Sequence, residues 1–267
     1  MLKPCKSLRF WCNVPQHRDF CGGGVLTIKD VLLEELDKLS ESYAVCGIVD
    51  QSGCVYPLGA DTKVLSTIFE LVSRPAVYAA ARTLGYEVVE PTVQNHYPDF
   101  TFHRGLNEGG KIAIDVKTTY RLKDDDKFSY TLGGYTSFIR NERKNIVFPF
   151  SHYSEHWVIG FVYNRIAEKK AGAEHRYDMG QIGDIPLPFD NVELFVQEKW
   201  RISSDRAGSG NTTNIGSLNG TIEDFREGRG PFTSEDEFLE YWRSYGRTKD
   251  ARTDFSNIEG FRRFKQG

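Results

Sequence analysis

Two short runs near the middle of the chain, within Asn95–Thr119, have apolar residues at every second position. Because successive side chains of a β-strand point to opposite faces, each run predicts a strand with one apolar face. A glycine-containing turn at Asn107–Gly110 would join the two strands into a hairpin. In that hairpin Asp115 and Lys117 share the polar face of the second strand, and Asp99 reaches the same face from the first. The pattern therefore predicts two carboxylates and an ammonium group at one small spot.

The remaining hydrophobic pattern predicts a mixture of helices and strands. Apolar positions at helical spacing predict a helix within Leu26–Tyr43 and another over Asp61–Arg74, which Pro75 helps to end. The other predicted elements are a hairpin at Ala44–Pro57, strands at Trp157–Ala167 and Val192–Ile202, a helix capped by Ser234, and a basic tail at Phe261–Gly267. Together they predict an α/β fold.

Composition excludes several classes of protein without selecting one. The chain has 267 residues, 39% hydrophobic residues and a formal net charge of −3, so it can bury a sizeable core. The net charge argues weakly against nucleic-acid binding, although a nuclease can concentrate lysine and arginine in a cleft. No apolar run has the length of a membrane span and no secretory h-region is present, which predicts a cytoplasmic protein without a membrane partner.

Neither a zinc site, a disulfide framework nor a nucleotide cofactor is expected. The cysteines are odd in number and include no CxxC pair: Cys5, Cys12, Cys21, Cys46 and Cys54. Gly208-Ser209-Gly210 lacks the lysine of a phosphate-binding loop, and no GxGxxG fingerprint is present.

The predicted cluster of Asp99, Asp115 and Lys117 suits metal-assisted hydrolysis of a phosphodiester. Carboxylate oxygens are ligands that Mg²⁺ prefers, and the metal neutralises developing charge and activates a bound water. A nearby lysine can stabilise that charge, or orient and deprotonate the attacking water. Pro98-Asp99, fifteen residues and then Asp115-Val116-Lys117 form the PD…(D/E)xK pattern of a large nuclease superfamily. The alternative is a set of solvated charges on an exposed strand face.

Longer segments of the chain resemble the EcoRV family of type II restriction endonucleases, which belongs to that superfamily. The resemblance covers about Thr27 to Asn257 and rests on segments in the same order: DTKVLSTIFELVSRP (Asp61–Pro75), NHYPDF (Asn95–Phe100), KIAIDVKTTY (Lys111–Tyr120), TLGGYTSFIRN (Thr131–Asn141), AGSGNTTNIGS (Ala207–Ser217) and SEDEFLEYWR (Ser234–Arg243). It implies a restriction-endonuclease-like mixed β-sheet core flanked by helices, with a dimerisation lobe and a DNA-recognition lobe.

The resemblance also implies how the chain is divided. It predicts a single restriction-endonuclease domain over residues 25–267. Within it lie dimerisation elements at about 44–57, a catalytic core at about 61–150, a recognition loop at 207–217 and a basic C-terminal part at 234–267. Met1–Gly24 is polar and aperiodic, and is expected to be a disordered extension or a misassigned start.

The function implied by the resemblance is Mg²⁺-dependent hydrolysis of double-stranded DNA by a homodimer. The expected site is the palindrome GATATC, cut bluntly at its centre to leave 5′-phosphate and 3′-hydroxyl ends. A two-fold dimer suits a palindrome because it can cut both strands symmetrically. A cognate DNA methyltransferase is expected in the same cell but not in complex. Two alternatives remain open: a repair-type nicking nuclease of the same superfamily, and a non-catalytic DNA-binding relative. The presence of all three residues of the trio Asp99, Asp115 and Lys117 argues against the second.

Individual residues take roles from the same resemblance. Asp99 and Asp115 would hold the metal, Lys117 would assist the attacking water, and Glu70 would be an additional acidic site residue. The family's recognition loop is matched by Gly208, Ser209, Gly210, Asn211, Thr212 and Thr213.

Within this loop Asn211 has the side chain that pairs bidentately with adenine, and Thr213 can meet a thymine methyl group. Further DNA contacts are implied for Lys63, Gln94, Asn95, Thr118, Thr119, Ser137, Arg140, Lys144, Arg247 and Arg252. The chain departs from the family by having Val93 and Glu142 where amides are expected.

Overall fold

A five-stranded mixed β-sheet carries the predicted hairpin in a computed structural model of the chain, which describes residues 26–122, 125–166, 174–208, 213–246 and 255–266. The strands are Gly47–Val49 (β1), Cys54–Pro57 (β2), Glu87–Val89 (β3), Phe100–His103 (β4), Lys111–Arg121 (β5), Thr131–Gly134 (β6), Tyr153–Arg165 (β7), Tyr177–Asp178 (β8), Phe189–Glu198 (β9), Ser203–Ala207 (β10) and Asn214–Ser217 (β11). The α-helices are Ile28–Asp37 (α1), Thr62–Thr83 (α2), Lys199–Ile202 (α3), Ile222–Glu227 (α4), Glu235–Ser244 (α5) and Ile258–Gln266 (α6). Within the described ranges no helix has the length and apolar character needed to cross a membrane. The expectation for Met1–Gly24 lies outside the described residues.

The large sheet has the strand order β3-β4-β5-β7-β9. β4 and β5 pair antiparallel, with Phe100 opposite Ile114. β5 pairs in parallel with β7 from Lys111 to Arg121, and β7 pairs antiparallel with β9. The predicted α/β fold and hairpin are confirmed. Because β5 has a hydrogen-bonded strand on each side, the backbone that carries Asp115 is fixed in the middle of the sheet.

Both faces of the sheet are covered, which the alternating pattern did not predict. Phe100 and Ile114 belong to a buried apolar cluster that includes α1 and α2, and α2 packs on β5. On the opposite face Ala113 joins a second, aromatic-rich cluster with β6, α4, α5 and α6. Thr101 is buried on that face and its hydroxyl lies 2.9 Å from the hydroxyl of Tyr153. The predicted polar face is therefore largely interior.

Two three-stranded sheets are present besides the large one. β1, β2 and β8 form the first, which confirms the hairpin predicted at Ala44–Pro57. This sheet exposes the large apolar side chains of Ile48, Val49 and Tyr56. β10, β11 and β6 form the second, and the expected recognition loop connects β10 to β11.

The prediction that Pro75 helps to end a helix is wrong, because α2 continues through it to Thr83. Asp61 caps the start of α2, where its carboxylate accepts the backbone N–H groups of Lys63 (2.9 Å) and Val64 (3.3 Å). Pro75 deprives the carbonyl of Leu71 of its helical donor. Leu71 lies on the exposed side of the helix, where water can replace that donor, while the next turns of the helix pack into the core.

Two predictions near the C-terminal end are also corrected. The strand predicted at Val192–Ile202 ends at Glu198, and the last four residues form the single turn α3. The basic tail predicted at Phe261–Gly267 is a helix, α6, up to Gln266. Ile258 and Phe261 lie one turn apart and are buried, so helical pairing of apolar residues anchors this end to the core.

Gly160→Ala is expected to destabilise the fold by about 2 kcal/mol, because core positions without free space tolerate added methyl groups poorly. Gly160 lies on β7 opposite Phe195 of β9, and a Cβ atom at Gly160 would overlap the Phe195 ring. Urea denaturation at a fixed protein concentration measures the change. Gly109→Ala is the matched control, because a Cβ there meets no atom within 4 Å. Equal stability of the two variants would contradict the prediction and would show that β7 and β9 can shift to accommodate the methyl group.

Candidate active site

Asp99, Asp115 and Lys117 converge as the sequence predicts. Asp99 directly precedes β4, and its Oδ2 accepts the backbone N–H of Val116 on β5 at 2.6 Å. Lys117 Nζ lies 2.7 Å from Asp115 Oδ2, on the same face of β5. The antiparallel register of β4 and β5 brings Asp99 beside the other two residues. The period of two along β5 and one hairpin are therefore enough to assemble the trio.

The two aspartates differ in their electrostatic environment. Burial and the neighbouring Asp115 carboxylate raise the pKa of Asp99 to about 7, with the Lys117 ammonium opposing the shift. Asp115 is 4% exposed, and burial alone would raise its pKa. The ammonium groups of Lys117 and Lys199 outweigh that effect and hold the pKa of Asp115 below its ordinary value. At neutral pH Asp115 is thus the permanently ionised member of the pair.

Lys117 is protonated at neutral pH. Burial alone would lower its pKa, but the carboxylates of Asp115 and Asp99 raise it above the ordinary value. A protonated ammonium can donate hydrogen bonds and stabilise negative charge, but it cannot accept a proton. Of the roles that the sequence left open for Lys117, orientation of water and charge stabilisation fit this environment, and deprotonation of the water does not.

Glu70 reaches the trio from α2. It is half-buried and lines the same cleft as Asp99, Asp115 and Lys117. Burial raises its pKa above the ordinary value, although the cations of Arg74 and Lys117 oppose the shift. Since α2 packs on β5, the tertiary fold places a fourth ionisable side chain beside three that come from one hairpin.

The cleft has a volume of about 750 Å³ and brings together several of the residues expected to touch DNA. Gln94 and Asn95 lie in the loop before β4, Lys144 and Ser137 follow β6, and Thr213 directly precedes β11; all five line the cleft. The hydroxyl of Ser137 donates to the backbone carbonyl of Lys144 at 2.7 Å, which ties two of these positions together.

Other expected contacts lie elsewhere. Lys63, Thr118, Thr119 and Arg140 do not line this cleft. Arg140 Nε and Nη2 donate to the backbone carbonyl of Trp242 at 3.1 and 2.9 Å, which attaches the segment after β6 to α5. Strand alternation puts Thr119 on the face of Asp115, and Thr118 on the opposite face. A role for these four residues in DNA binding stays a prediction.

Part of the expected recognition surface lies outside the described residues. This applies to Ser209, Gly210, Asn211, Thr212, Arg247 and Arg252. Gly208 is described, and its backbone N–H donates to the carbonyl of Asn214 at 2.8 Å. This bond joins the end of β10 to the start of β11 and places Gly208 next to the cleft residue Asn214.

The sequence reasoning missed an ion pair at the base of the Gln94–Asn95 loop. Arg74 and Glu90 both line the cleft, and Arg74 Nη2 lies 2.7 Å from Glu90 Oε2. The hydroxyl of Tyr78 donates to the other oxygen of Glu90 at 2.8 Å. α2 is thereby attached to the chain just before the loop. Arg74 stands four residues after Glu70, so helical spacing from Glu70 was the signal that could have found it.

The donor set fits a hard divalent cation. Among the described residues no three His, Cys, Asp or Glu side chains form a ready-made metal-binding group. Asp99 and Asp115 supply two adjacent carboxylates on a cleft wide enough to admit a phosphate, and Mg²⁺ is commonly bound by one or two carboxylates together with waters and substrate phosphates. The residues present therefore suit Mg²⁺ bound together with a phosphodiester.

Comparison with known proteins connects this geometry to one group of nucleases. A family model described as restriction endonuclease EcoRV matches residues 39–266. The type II restriction enzyme EcoRV of Escherichia coli is 52% identical over 238 residues, which cover 89% of this chain and 97% of that relative. The matched region contains Glu70, the trio and the expected recognition loop.

Proposed function

The chain belongs to the EcoRV family of restriction endonucleases, and from this premise we propose that it hydrolyses double-stranded DNA at GATATC with Mg²⁺, as a homodimer. It is a type II restriction endonuclease, a site-specific deoxyribonuclease. The proposed product is a blunt cut at the centre of the palindrome, with 5′-phosphate and 3′-hydroxyl ends. The single observation that carries the catalytic part is the convergence of Asp99, Asp115 and Lys117 on one open cleft.

The proposed roles follow from the environment of each side chain. Asp99 and Asp115 would hold Mg²⁺, which neutralises phosphate charge and activates a water when bound. Lys117 would use its protonated amine to orient the attacking water and to stabilise the negative charge on the reacting phosphate. Glu70 would support a second metal position, or tune the first, from the α2 side of the cleft.

Two loops that line the same cleft as Asp99, Asp115 and Lys117 are proposed to contact the bases of the DNA. Gln94 and Asn95 line the cleft from the loop before β4, and Thr213 lines it from the β10–β11 hairpin. Small residues around Gly208 would let the hairpin loop bring its backbone close to the bases in the major groove. Asn211 would then pair with an adenine of GATATC, and Thr213 would meet a thymine methyl group.

A homodimer is proposed because a palindrome presents the same bases twice about a two-fold axis. The sheet of β1, β2 and β8 supports it with the exposed apolar side chains of Ile48, Val49 and Tyr56. Met179 and Ile182 follow β8 and are also exposed. Several exposed large apolar side chains on one small sheet and on the turn after it are typical of a subunit interface.

Plasmid digestion with purified protein in Mg²⁺ and in EDTA, followed by sequencing of the ends, tests the function. Blunt linear fragments that end at the centre of GATATC are expected in Mg²⁺ alone. Nicked circles without linear product would favour the repair-type nuclease. Specific binding without any cleavage would favour a non-catalytic relative. Another hexamer, or staggered ends, would overturn the proposed specificity.

Lys144→Ala is expected to weaken DNA binding almost equally for every sequence and to reduce the slope of log K against log salt by about 1. The reason is that Lys144 is exposed in the cleft and would contact phosphate rather than bases. Titration of fluorescent duplexes without metal, at several salt concentrations, measures both quantities. Asn211→Ala is the contrasting variant and should cost about 1–3 kcal/mol at a single base pair. A sequence-dependent loss in Lys144→Ala would contradict a phosphate contact.

Metal binding by the free protein is expected to strengthen as the pH rises from about 6 to about 8. Burial raises the pKa of Asp99 to about 7, so below that pH its carboxyl group holds a proton that the metal must displace. Above that pH the Asp99 carboxyl group is ionised and contributes no further change. Mn²⁺ binding followed by electron paramagnetic resonance measures it. Asp99→Asn should flatten the profile, and an unchanged profile in that variant would show that another group titrates.

The cellular setting follows from the reaction. A cell that contains this enzyme would need a DNA methyltransferase that protects its own GATATC sites, acting as a separate protein. We propose a cytoplasmic location, where that DNA is accessible.

A further inference from the structure

Lys199 is a buried cation that the proposed reaction does not use. It begins α3 and is 3% exposed. Among the described residues its Nζ has no hydrogen-bond partner. The ammonium group instead lies over two aromatic rings, 4.2 Å from the ring centre of Tyr97 and 5.2 Å from that of Phe138. A charge in such surroundings is costly to bury, since ring faces replace only part of the lost hydration.

The cost of burying Lys199 is evident in its protonation. Burial lowers the pKa of Lys199 to about 8, with Lys117 acting in the same direction and the carboxylates of Asp115 and Asp99 opposing. The group therefore remains mostly charged at neutral pH. A methionine would fill a similar volume without this cost, so stability does not explain the presence of a lysine here.

The position of Lys199 relates it to the active site. Tyr97, Phe138 and Gly133 all line the cleft, and Lys199 Nζ would lie 3.8 Å from a Cβ atom on Gly133. The ammonium group is thus directly behind the cleft wall. The ring of Tyr97, which separates Lys199 from the cleft, is held by a 2.8 Å hydrogen bond between its hydroxyl and His156 Nδ1. The charge cannot reach solvent, so water and salt screen it much less than they screen an exposed lysine.

We propose that Lys199 is a positioning residue of the nuclease, whose fixed positive charge behind the cleft wall attracts the DNA phosphate and opposes the binding of a divalent cation in the absence of DNA. The proposal rests on the proposed function. Lys117 interacts electrostatically with the carboxylates of Glu70, Asp99 and Asp115, and Lys199 with those of Asp99 and Asp115. The two cations offset negative charge that would otherwise repel a phosphate. Because the charge is already in place before substrate binds, no reorganisation is needed as negative charge develops on the phosphate.

Lys199→Met tests the sign of this effect with three measurements. Removal of the buried charge is expected to leave the thermal midpoint unchanged or raise it. Mn²⁺ binding to the free protein should tighten by about tenfold, because a nearby positive charge no longer repels the metal. Cleavage of a GATATC duplex should slow by at least about tenfold in kcat. A lysine that served only packing would give lower stability and no tighter Mn²⁺ binding.

Lys111→Met is the matched control. Lys111 is 1% exposed and its Nζ lies 4.7 Å from the ring centre of Phe148, but it also donates to the backbone carbonyls of Gly105 and Glu108. It starts β5, away from the cleft. This variant should lose stability, because two carbonyls lose their donor, and should keep wild-type Mn²⁺ affinity and kcat.

Lys199→Arg separates charge from shape and remains informative if Lys199→Met does not fold. It keeps the charge, so Mn²⁺ affinity should stay within about twofold of wild type and cleavage within about tenfold. A Lys199→Arg variant that loses cleavage while its Mn²⁺ affinity is unchanged would overturn the proposal. A folded Lys199→Met variant with wild-type Mn²⁺ affinity would also overturn it. Mn²⁺ binding is measured without DNA, so the effect of Lys199 on Mn²⁺ affinity can be tested whether or not the protein cuts GATATC. Failure of the wild-type protein to cut GATATC would instead contradict the proposed function.

Discussion

Asp115→Asn is expected to lower Mg²⁺-dependent cleavage by at least about a thousandfold, because a metal ligand contributes several kcal/mol of charge stabilisation to such a reaction. Asparagine keeps the shape of the side chain and removes its charge. Asp115 is the permanently ionised carboxylate of the site and has the shortest contact with Lys117. Its loss would therefore remove a proposed metal ligand and also release Lys117 from its partner.

Cleavage of a GATATC duplex and circular dichroism test this prediction together. The variant should fold, since Asp115 lies on a strand that is hydrogen-bonded on both sides and its backbone is unaltered. Asp37→Asn is the control, because Asp37 is exposed at the end of α1 and should be dispensable. If Asp115→Asn kept more than about a tenth of the activity, the metal would have to be held by other residues.

The catalytic hairpin could be predicted because it depends on short-range rules. A period of two fixes which side chains share a face, and a one-residue slip in register would bury the charges on the wrong side. The convergence of Asp99, Asp115 and Lys117 therefore follows from strand alternation and one hairpin, whereas the resemblance to the family was needed to favour a catalytic site over solvated charges. The resemblance to the family added Glu70, whose approach depends on how α2 packs on β5, and no local pattern encodes that packing.

Features that depend on tertiary packing could not be predicted in this way. A local rule predicts that a helix ends near Pro75. Packing of the next turns of α2 into the core outweighs the one hydrogen bond that the proline removes. Lys199 stands in VELFVQEKWRI, where a lysine suggests a solvated position. Only the approach of Tyr97 and Phe138 from distant segments makes it a buried cation. The roles of Asn211 and its neighbours in the recognition loop stay predictions.

Lys117→Met is expected to slow cleavage by about a hundredfold to a thousandfold, while DNA binding measured without metal changes little. The pKa of Lys117 is raised by Asp115 and Asp99, so at neutral pH its contribution is a charge and its hydrogen-bond donors. In the proposed role they would act on the water and the reacting phosphate more than on bound DNA, so kcat should fall more than KM rises.

Lys117→Arg tests whether charge alone is sufficient. Arginine retains the charge but is longer and presents a planar fork, so it cannot place a single donor at the position of Nζ. We expect it to recover only a small part of the lost kcat. Lys38→Met, at an exposed lysine paired with Glu34 and Glu35 on α1, is the control for loss of a lysine and should cut normally. Full activity of Lys117→Arg would show that any positive charge at this position is sufficient. A wild-type kcat in Lys117→Met would show that Lys117 takes no part in the reaction.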